Sequence, residues 1–308
     1  MRMRYDVVMA LTQCARLSSL SVVAVTGRDA RDFLQGQLSN DLQGLERHPG
    51  MLAAHCNLQG RVLATMRLAA QDGAILLVLP RELARTLVAR LSAYVLRADV
   101  HFEDRSTAIA VAGVIDAPPD AHWSQAAAAA AGFAMLVASP RRLLLAGTQA
   151  ALDRPLAAVS RVAPLHWERA CVEDGEPAIH AATAALWLPQ MLNLDLIGGV
   201  NFAKGCYVGQ EVVARAANLG RVKRRMLRYV GPPDAMLRPA QTLFSGETLA
   251  AQVVTSVRNE NATQCLAVVE HRYVSDLLGA KPGGVEFVPA DLPYAIPAPP
   301  ARGERKDD

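Results

Sequence analysis

The sequence predicts an α+β protein with a separate, strand-rich C-terminal unit, and three observations carry that prediction. Strand-like runs mix with helical ones but are joined by tight turns that make hairpins, which favours α+β subdomains over one doubly wound parallel sheet. Neither a G-x-G-x-x-G nor a P-loop pattern occurs. After about residue 221 the helical signal fades, and strand-like runs at 226–230, 248–257 and 265–274 are separated by Gly, Pro and Asn, as in a small barrel or sandwich.

Taken in order, residues 20–26 are β-branched and short, and Gly27 ends them. Asp29 then opens a capped helix over 29–35. Residues 52–57 and 61–70 read as strands around a turn at Leu58, Gln59 and Gly60. Gln71, Asp72 and Gly73 turn the chain into a strand at 74–79. Leu83, Leu87, Leu91 and Val95 recur at the spacing of one helix face over 81–95. A second round follows: a strand at 107–114, an alanine-rich helix at 126–131, strands at 134–138 and 142–146, and a helix near 149–159. A further helix is expected from Gln210 to Ala217. Prolines at 293, 297, 299 and 300, ahead of a charged end, predict a disordered tail over 291–308.

The composition is that of a folded chain long enough for two or three packed units: 308 residues, 51% hydrophobic and 20% charged. Five dispersed cysteines, an odd number without a C-x-x-C pair, argue against a disulfide framework and for a reducing compartment. His55, His101, His166 and His180 lack metal-ligand spacing, so no His-based metal centre is expected. No apolar run reaches the roughly 18 residues that span a bilayer, and no signal-type core follows the first residues, so the expectation is a cytoplasmic protein without membrane attachment. The net charge of +3 is too small to indicate nucleic-acid binding. Its distribution is uneven, however: Arg215, Arg221, Lys223, Arg224, Arg225 and Arg228 form an acid-free stripe, suited either to a polyanion or to a solvated edge strand.

The candidate site is the run Lys204-Gly205-Cys206-Tyr207-Val208-Gly209-Gln210-Glu211 with Arg215 after it. It places one thiol between cationic side chains and between two glycines. If Lys204 or Arg215 lay close to the sulfur, the thiolate would be available near neutral pH as a nucleophile, a persulfide carrier or a soft-metal ligand. Glu211 and Gln210 either meet the N–H and carbonyl edges of a flat heterocycle or simply cap and ion-pair their helix. Asn57, beside Gln59 and Gly60, is either a site residue or an ordinary Asx turn. Trp167 either stacks on a ligand ring or belongs to the core.

This run matches the signature K-G-C-[FY]-x-G-Q-E-x-x-x-R and resembles the YgfZ group of folate-binding proteins, relatives of the glycine-cleavage aminomethyltransferase. Phe33-Leu34-Gln35-Gly36-Gln37-Leu38-Ser39-Asn40-Asp41 resembles the family's early helix, and Asn57-Leu58-Gln59-Gly60-Arg61 its N-x-x-G-R turn. Pro189-Gln190-Met191-Leu192-Asn193-Leu194 resembles its lead into the cysteine motif. The resemblance spans about residues 15–230. It implies a GcvT-like ring: two interlocked, ferredoxin-like α+β subdomains over 1–222 around a folate-sized cavity, then a β-barrel over 223–290. It also implies tetrahydrofolate or a derivative as cofactor, and iron–sulfur client enzymes or assembly proteins as partners, including radical enzymes that modify tRNA. Carried over by position, Cys206 would be the essential thiol and Lys204 its catalytic neighbour. Gln210, Glu211 and Arg215 would join its supporting shell and, with Trp167, Asn57 and Gln190, would bind the cofactor, Trp167 lining the folate cavity. The run 61–68 holds no carboxylate where the aminomethyltransferases carry an acidic pair, so aminomethyl transfer, the alternative reading, lacks its acid. Turnover of the ordinary enzymatic kind is not expected, nor is direct nucleic-acid binding.

Overall fold

The computed structural model describes residues 12–48, 50–117, 125–218, 222–281 and 284–297. Strand β1 (Gln13–Arg16) leads into β2 (Leu20–Thr26) and the short helix α1 (Ala30–Gln35). Strands β3 (Met51–Cys56), β4 (Val62–Gln71) and β5 (Ala74–Pro80) form a meander, followed by α2 (Arg81–Ser92) and β6 (His101–Asp104). Strand β7 (Ala110–Ile115), helix α3 (Gln125–Ala130), strands β8 (Phe133–Ser139) and β9 (Arg142–Gly147), helix α4 (Gln149–Leu156), strand β10 (Ser160–Arg161) and helix α5 (Pro164–Glu173) make the second round. After a long irregular stretch come α6 (Gln210–Asn218) and six strands: β11 (Arg224–Gly231), β12 (Thr242–Ser245), β13 (Thr248–Arg258), β14 (Thr263–Glu270), β15 (Leu278–Gly279) and β16 (Glu286–Ala290).

The first sheet has the order β3-β4-β5-β2-β6 and the second β10-β1-β7-β9-β8. Strand β1 therefore lies in the second sheet, antiparallel to β7 with Cys14 opposite Val114, although the whole first sheet intervenes in sequence. This crossing is what interlocks the two units. The side chains of β2 and β5 alternate between two cores, as the two-residue strand period requires. Val23, Val25, Ile75, Leu77 and Leu79 face the helical side. Val22, Ala24, Leu76 and Val78 face the second sheet and meet Val111, Leu136, Leu144 and Trp167 there. Strands buried on both faces read as unbroken apolar runs, which is why 20–26 and 74–79 were legible as strands but their partners were not.

The C-terminal strands close into a barrel ordered β11-β14-β13-β12-β15-β16. Closure comes from pairing of β11 with β16, with Tyr229 opposite Pro289. Residues 291–297, within the expected tail, are described and packed. Leu292 packs on the large core, and the Tyr294 hydroxyl donates to the Gly175 carbonyl at 2.8 Å while accepting from Asn193 Nδ2 at 3.3 Å. Proline-rich composition hid two half-buried anchors. Residues 298–308 of that tail lie outside the described residues.

The basic stripe is largely neutralised. Arg224 pairs with Glu270, Arg228 donates to the Asp291 carbonyl at 2.9 Å, and Arg225 turns inward to bind both Asp195 oxygens at 2.7 and 3.0 Å. Strand alternation sends neighbouring arginines to opposite faces, so a linear run of charge does not make a surface of charge. Arg221 lies outside the described residues. Among the described residues no helix is long and apolar enough to cross a membrane.

Candidate functional site

Cys206 is exposed, and its loop is fixed from below. The Lys204 ammonium, 8% exposed as a residue, donates to the carbonyls of Gln35, Leu38 and Asn40 at 2.6, 2.7 and 2.8 Å. All three of its N–H bonds are thereby used on the turn that follows α1. Burial pushes the ammonium down to about 8, with Asp41 opposing the shift. Lys204 is thus committed to backbone and does not pair with the sulfur. Arg215 is likewise committed, 2.7 Å from Glu211 one turn away on α6. The thiol is displayed by the fold; the two cations expected beside it serve other groups. Lys204→Met should cost about 2–3 kcal/mol, because three carbonyls, that of Leu38 buried and those of Gln35 and Asn40 partly so, lose their donor; a lowered urea midpoint with unchanged slope is the expected reading.

The two glycine-bearing motifs dock on one another. Gly209 sits at φ +84°, and a Cβ there would lie 2.3 Å from the Asn57 carbonyl and 2.9 Å from the Gly60 Cα. Gly60, at φ +70°, packs in turn against Val212 and Val213 of α6. Asn57 is an Asx turn, its Oδ1 accepting from the amides of Gln59 and Arg61 at 3.0 and 2.9 Å. Its role is to shape the surface that receives Gly209. A Gly209→Ala variant, strained in backbone and clashing with main chain, should lose at least about 2 kcal/mol of stability by thermal unfolding.

Gln190 is buried, with its Nε2 on the Val213 carbonyl at 2.6 Å and its own carbonyl accepting from Arg225 at 2.7 Å. It ties α6 to the barrel. Gln210 Oε1 accepts weakly from the Tyr207 amide at 3.3 Å, and Glu211 stands in solvent with its side chain 83% exposed. Both are engaged locally, Gln210 with the Tyr207 amide and Glu211 with Arg215. Leu58 and Phe202 are large exposed apolar residues, 69% and 47% accessible, on the two motif loops.

A separate cavity of about 740 Å³ lies where the two α+β units meet the barrel. Leu20, Pro80, Trp167, Val172, His180 and Thr255 are among its walls; Cys206 is not. Trp167 is locked in place: Gly113 leaves room for its ring, since a Cβ there would fall 2.3 Å from it, and the Arg142 guanidinium lies 4.9 Å from the ring centroid. Behind the wall is a charge network that the sequence did not reveal. Arg142, fully buried, binds Asp174 at 2.5 Å and Glu176 at 2.7 Å, and Arg67 binds Glu176 at 2.7 Å. Arg67 comes from the first sheet and Arg142 from the second, so Glu176 joins the units. Cys171 also lines the cavity, with Arg142 Nη1 3.0 Å from its sulfur. Burial nonetheless pushes that thiol up to about 12, so it stays protonated at neutral pH. No signal for this network existed in local sequence, since its arginines lie 32 to 109 residues from the carboxylates they bind. Among the described residues no group of His, Cys, Asp and Glu is arranged to hold a metal ion.

Two interlocked α+β units and a closing barrel, with a cavity where they meet, define a protein of the aminomethyltransferase fold. The solved glycine cleavage system aminomethyltransferase T of Bartonella henselae superposes with a TM-score of 0.68 over 92% of this chain and 86% of its own, at 14% identity. No protein-family model matches the sequence. At the level of sequence, the tRNA-modifying protein YgfZ of Edwardsiella ictaluri is 31% identical over 262 residues, covering 77% of this chain and 79% of the relative. That of Vibrio atlanticus is 30% identical over 236 residues, 74% and 72% respectively. The chain belongs to the YgfZ family.

Proposed function

We propose that this chain is a folate-binding accessory protein that acts in tRNA modification, supporting assembly or repair of iron–sulfur clusters in client enzymes through Cys206. The observation that carries the reading is a division of labour in space. An exposed thiol rides on a rigidly anchored loop, and a ligand-sized hollow lies elsewhere in the same molecule. Relatives named tRNA-modifying proteins support the process assigned. In this reading Cys206 meets the partner, Lys204 holds its loop, and Asn57, Gln190, Gln210, Glu211 and Arg215 fix the elements around it. A single thiolate gives one ligand where clusters usually take four, so a cluster would be shared with the partner.

The cavity fits a folate. Its volume falls in the range of about 300–1,000 Å³ found for small-molecule sites, and its wall is mainly apolar with Trp167, Glu82, His180 and Thr255 supplying aromatic and polar contacts. Bound there, a tetrahydrofolate would supply one-carbon chemistry; the chain's own contribution would be to hold the ring and exclude water. Strand β4 offers no carboxylate for aminomethyl transfer, and its Arg67 is engaged by Glu176. Titration of the purified protein with 5-formyl-tetrahydrofolate, followed by tryptophan fluorescence, tests the folate assignment. Saturable quenching is expected, weakened about tenfold or more in Trp167→Ala. Absence of saturable binding to the wild type would remove folate from the proposal.

A further inference from the structure

The cavity contains a three-residue chain that neither the motif nor the fold accounts for. His180 Nδ1 lies 3.0 Å from Glu82 Oε1, and His180 Nε2 lies 3.3 Å from Thr255 Oγ1. Glu82 stands in the first turn of α2, Thr255 on barrel strand β13, and His180 on the segment after α5. All three line the cavity, so the imidazole bridges two parts of the molecule across the hollow.

A carboxylate only accepts, so Nδ1 carries a proton and donates to Glu82; in the singly protonated ring Nε2 is an acceptor, to which the Thr255 hydroxyl donates. The contact to Thr255 is the longer of the two. A ligand with an N–H beside a carbonyl could replace it, its N–H donating to Nε2 while its oxygen accepts from the hydroxyl. The other charged groups on this wall differ in their freedom. Arg81 donates to the carbonyls of Ser18 and Leu20, Glu176 is held by two arginines, and Glu168 on α5 lines the same cavity. Beside Thr255, the barrel adds Ser256 and Val257, which carry no charge.

We propose that His180 and Thr255 form a two-point receptor for the lactam edge of a planar heterocycle, with Glu82 as the positioning residue that fixes the imidazole. The proposal rests on the folate reading above, and it names the ring edge that specifies the ligand: the adjacent N–H and C=O of a 4-oxopteridine. Replacing the 4-oxo group by an amine would turn the ligand's edge around, giving a ring nitrogen that accepts and an amine that donates.

The test is calorimetric titration of the full chain, at one neutral pH, with folic acid and with its 4-amino-4-deoxy analogue, for the wild type, His180→Gln, Thr255→Val and Glu82→Gln. The wild type should bind folic acid about tenfold or more tighter than the analogue, whose ring nitrogen would set an acceptor against Nε2. In His180→Gln the two affinities should come within about twofold of each other. Thr255→Val should weaken folic acid about tenfold, and Glu82→Gln should narrow the preference between the two ligands. A merely structural bridge would weaken both ligands alike and leave their ratio unchanged. Equal affinities of the two ligands for the wild type, or a preference that survives in His180→Gln, overturn the receptor and leave the folate reading standing. No binding of either ligand to the wild type overturns both.

Discussion

Cys206→Ser is expected to abolish function while leaving the fold intact. The side chain is exposed and, among the described residues, makes no hydrogen bond or ion pair, so its replacement by an isosteric hydroxyl should change stability by less than about 0.5 kcal/mol. Sulfur-specific chemistry, by contrast, disappears completely, since a serine hydroxyl is neither a soft ligand nor a nucleophile at neutral pH. The variant should therefore melt with the wild type, bind folate like the wild type, and fail to restore iron–sulfur-dependent tRNA modification in a strain lacking the endogenous protein. Full restoration by the serine variant would end the assignment of Cys206 as the working group. The conjunction matters: loss of function with loss of fold would speak only to the loop that Lys204 and Gly209 hold in place.

The largest effect on stability is expected at Arg142. Removing it as Arg142→Met leaves Asp174 without its partner and Glu176 with one arginine in place of two, at a site where the guanidinium is 2% exposed. Breaking one side of a buried charge network typically costs about 3–5 kcal/mol. The same cluster sets an acid limit. Burial pushes the Glu176 carboxyl up, but Arg67 and Arg142 more than offset this and bring it down to about 2. A carboxylate depressed in the folded state binds its proton more readily when unfolded, so stability is fully present above the ordinary carboxylate range near 4.5 and drains away as pH falls toward 2. The contribution at stake is on the order of 3 kcal/mol. Chemical unfolding at pH values across that interval should show the loss in the wild type, and a smaller loss in Glu176→Gln.

These effects also bear on the cavity. Arg142 packs on the ring of Trp167 and Arg67 reaches the carbonyls of Gly50 and Ala138, so the network that joins the two sheets also sets the position of the aromatic wall. A destabilised network should loosen ligand binding even where no ligand contact has been removed. This separates Arg142 from Cys206, whose loss is expected to leave binding untouched.

The sequence alone determined the elements whose information is local. The apolar runs at 20–26 and 74–79 announced buried strands, and the run from Lys204 to Glu211 announced the family. Glycine at 60 and 209 announced turns, and each adopts the positive φ that other residues resist. Only the tertiary structure decided which charges meet. Lys204, two residues from Cys206, spends its ammonium on carbonyls some 160 residues earlier in the chain, and Arg225 leaves its basic stripe for Asp195. The wall of the cavity is drawn from β2, α2, α5 and β13. Backbone preference and hydrophobic period are written within a few residues, whereas desolvation forces each buried charge to find its partner wherever the fold brings one.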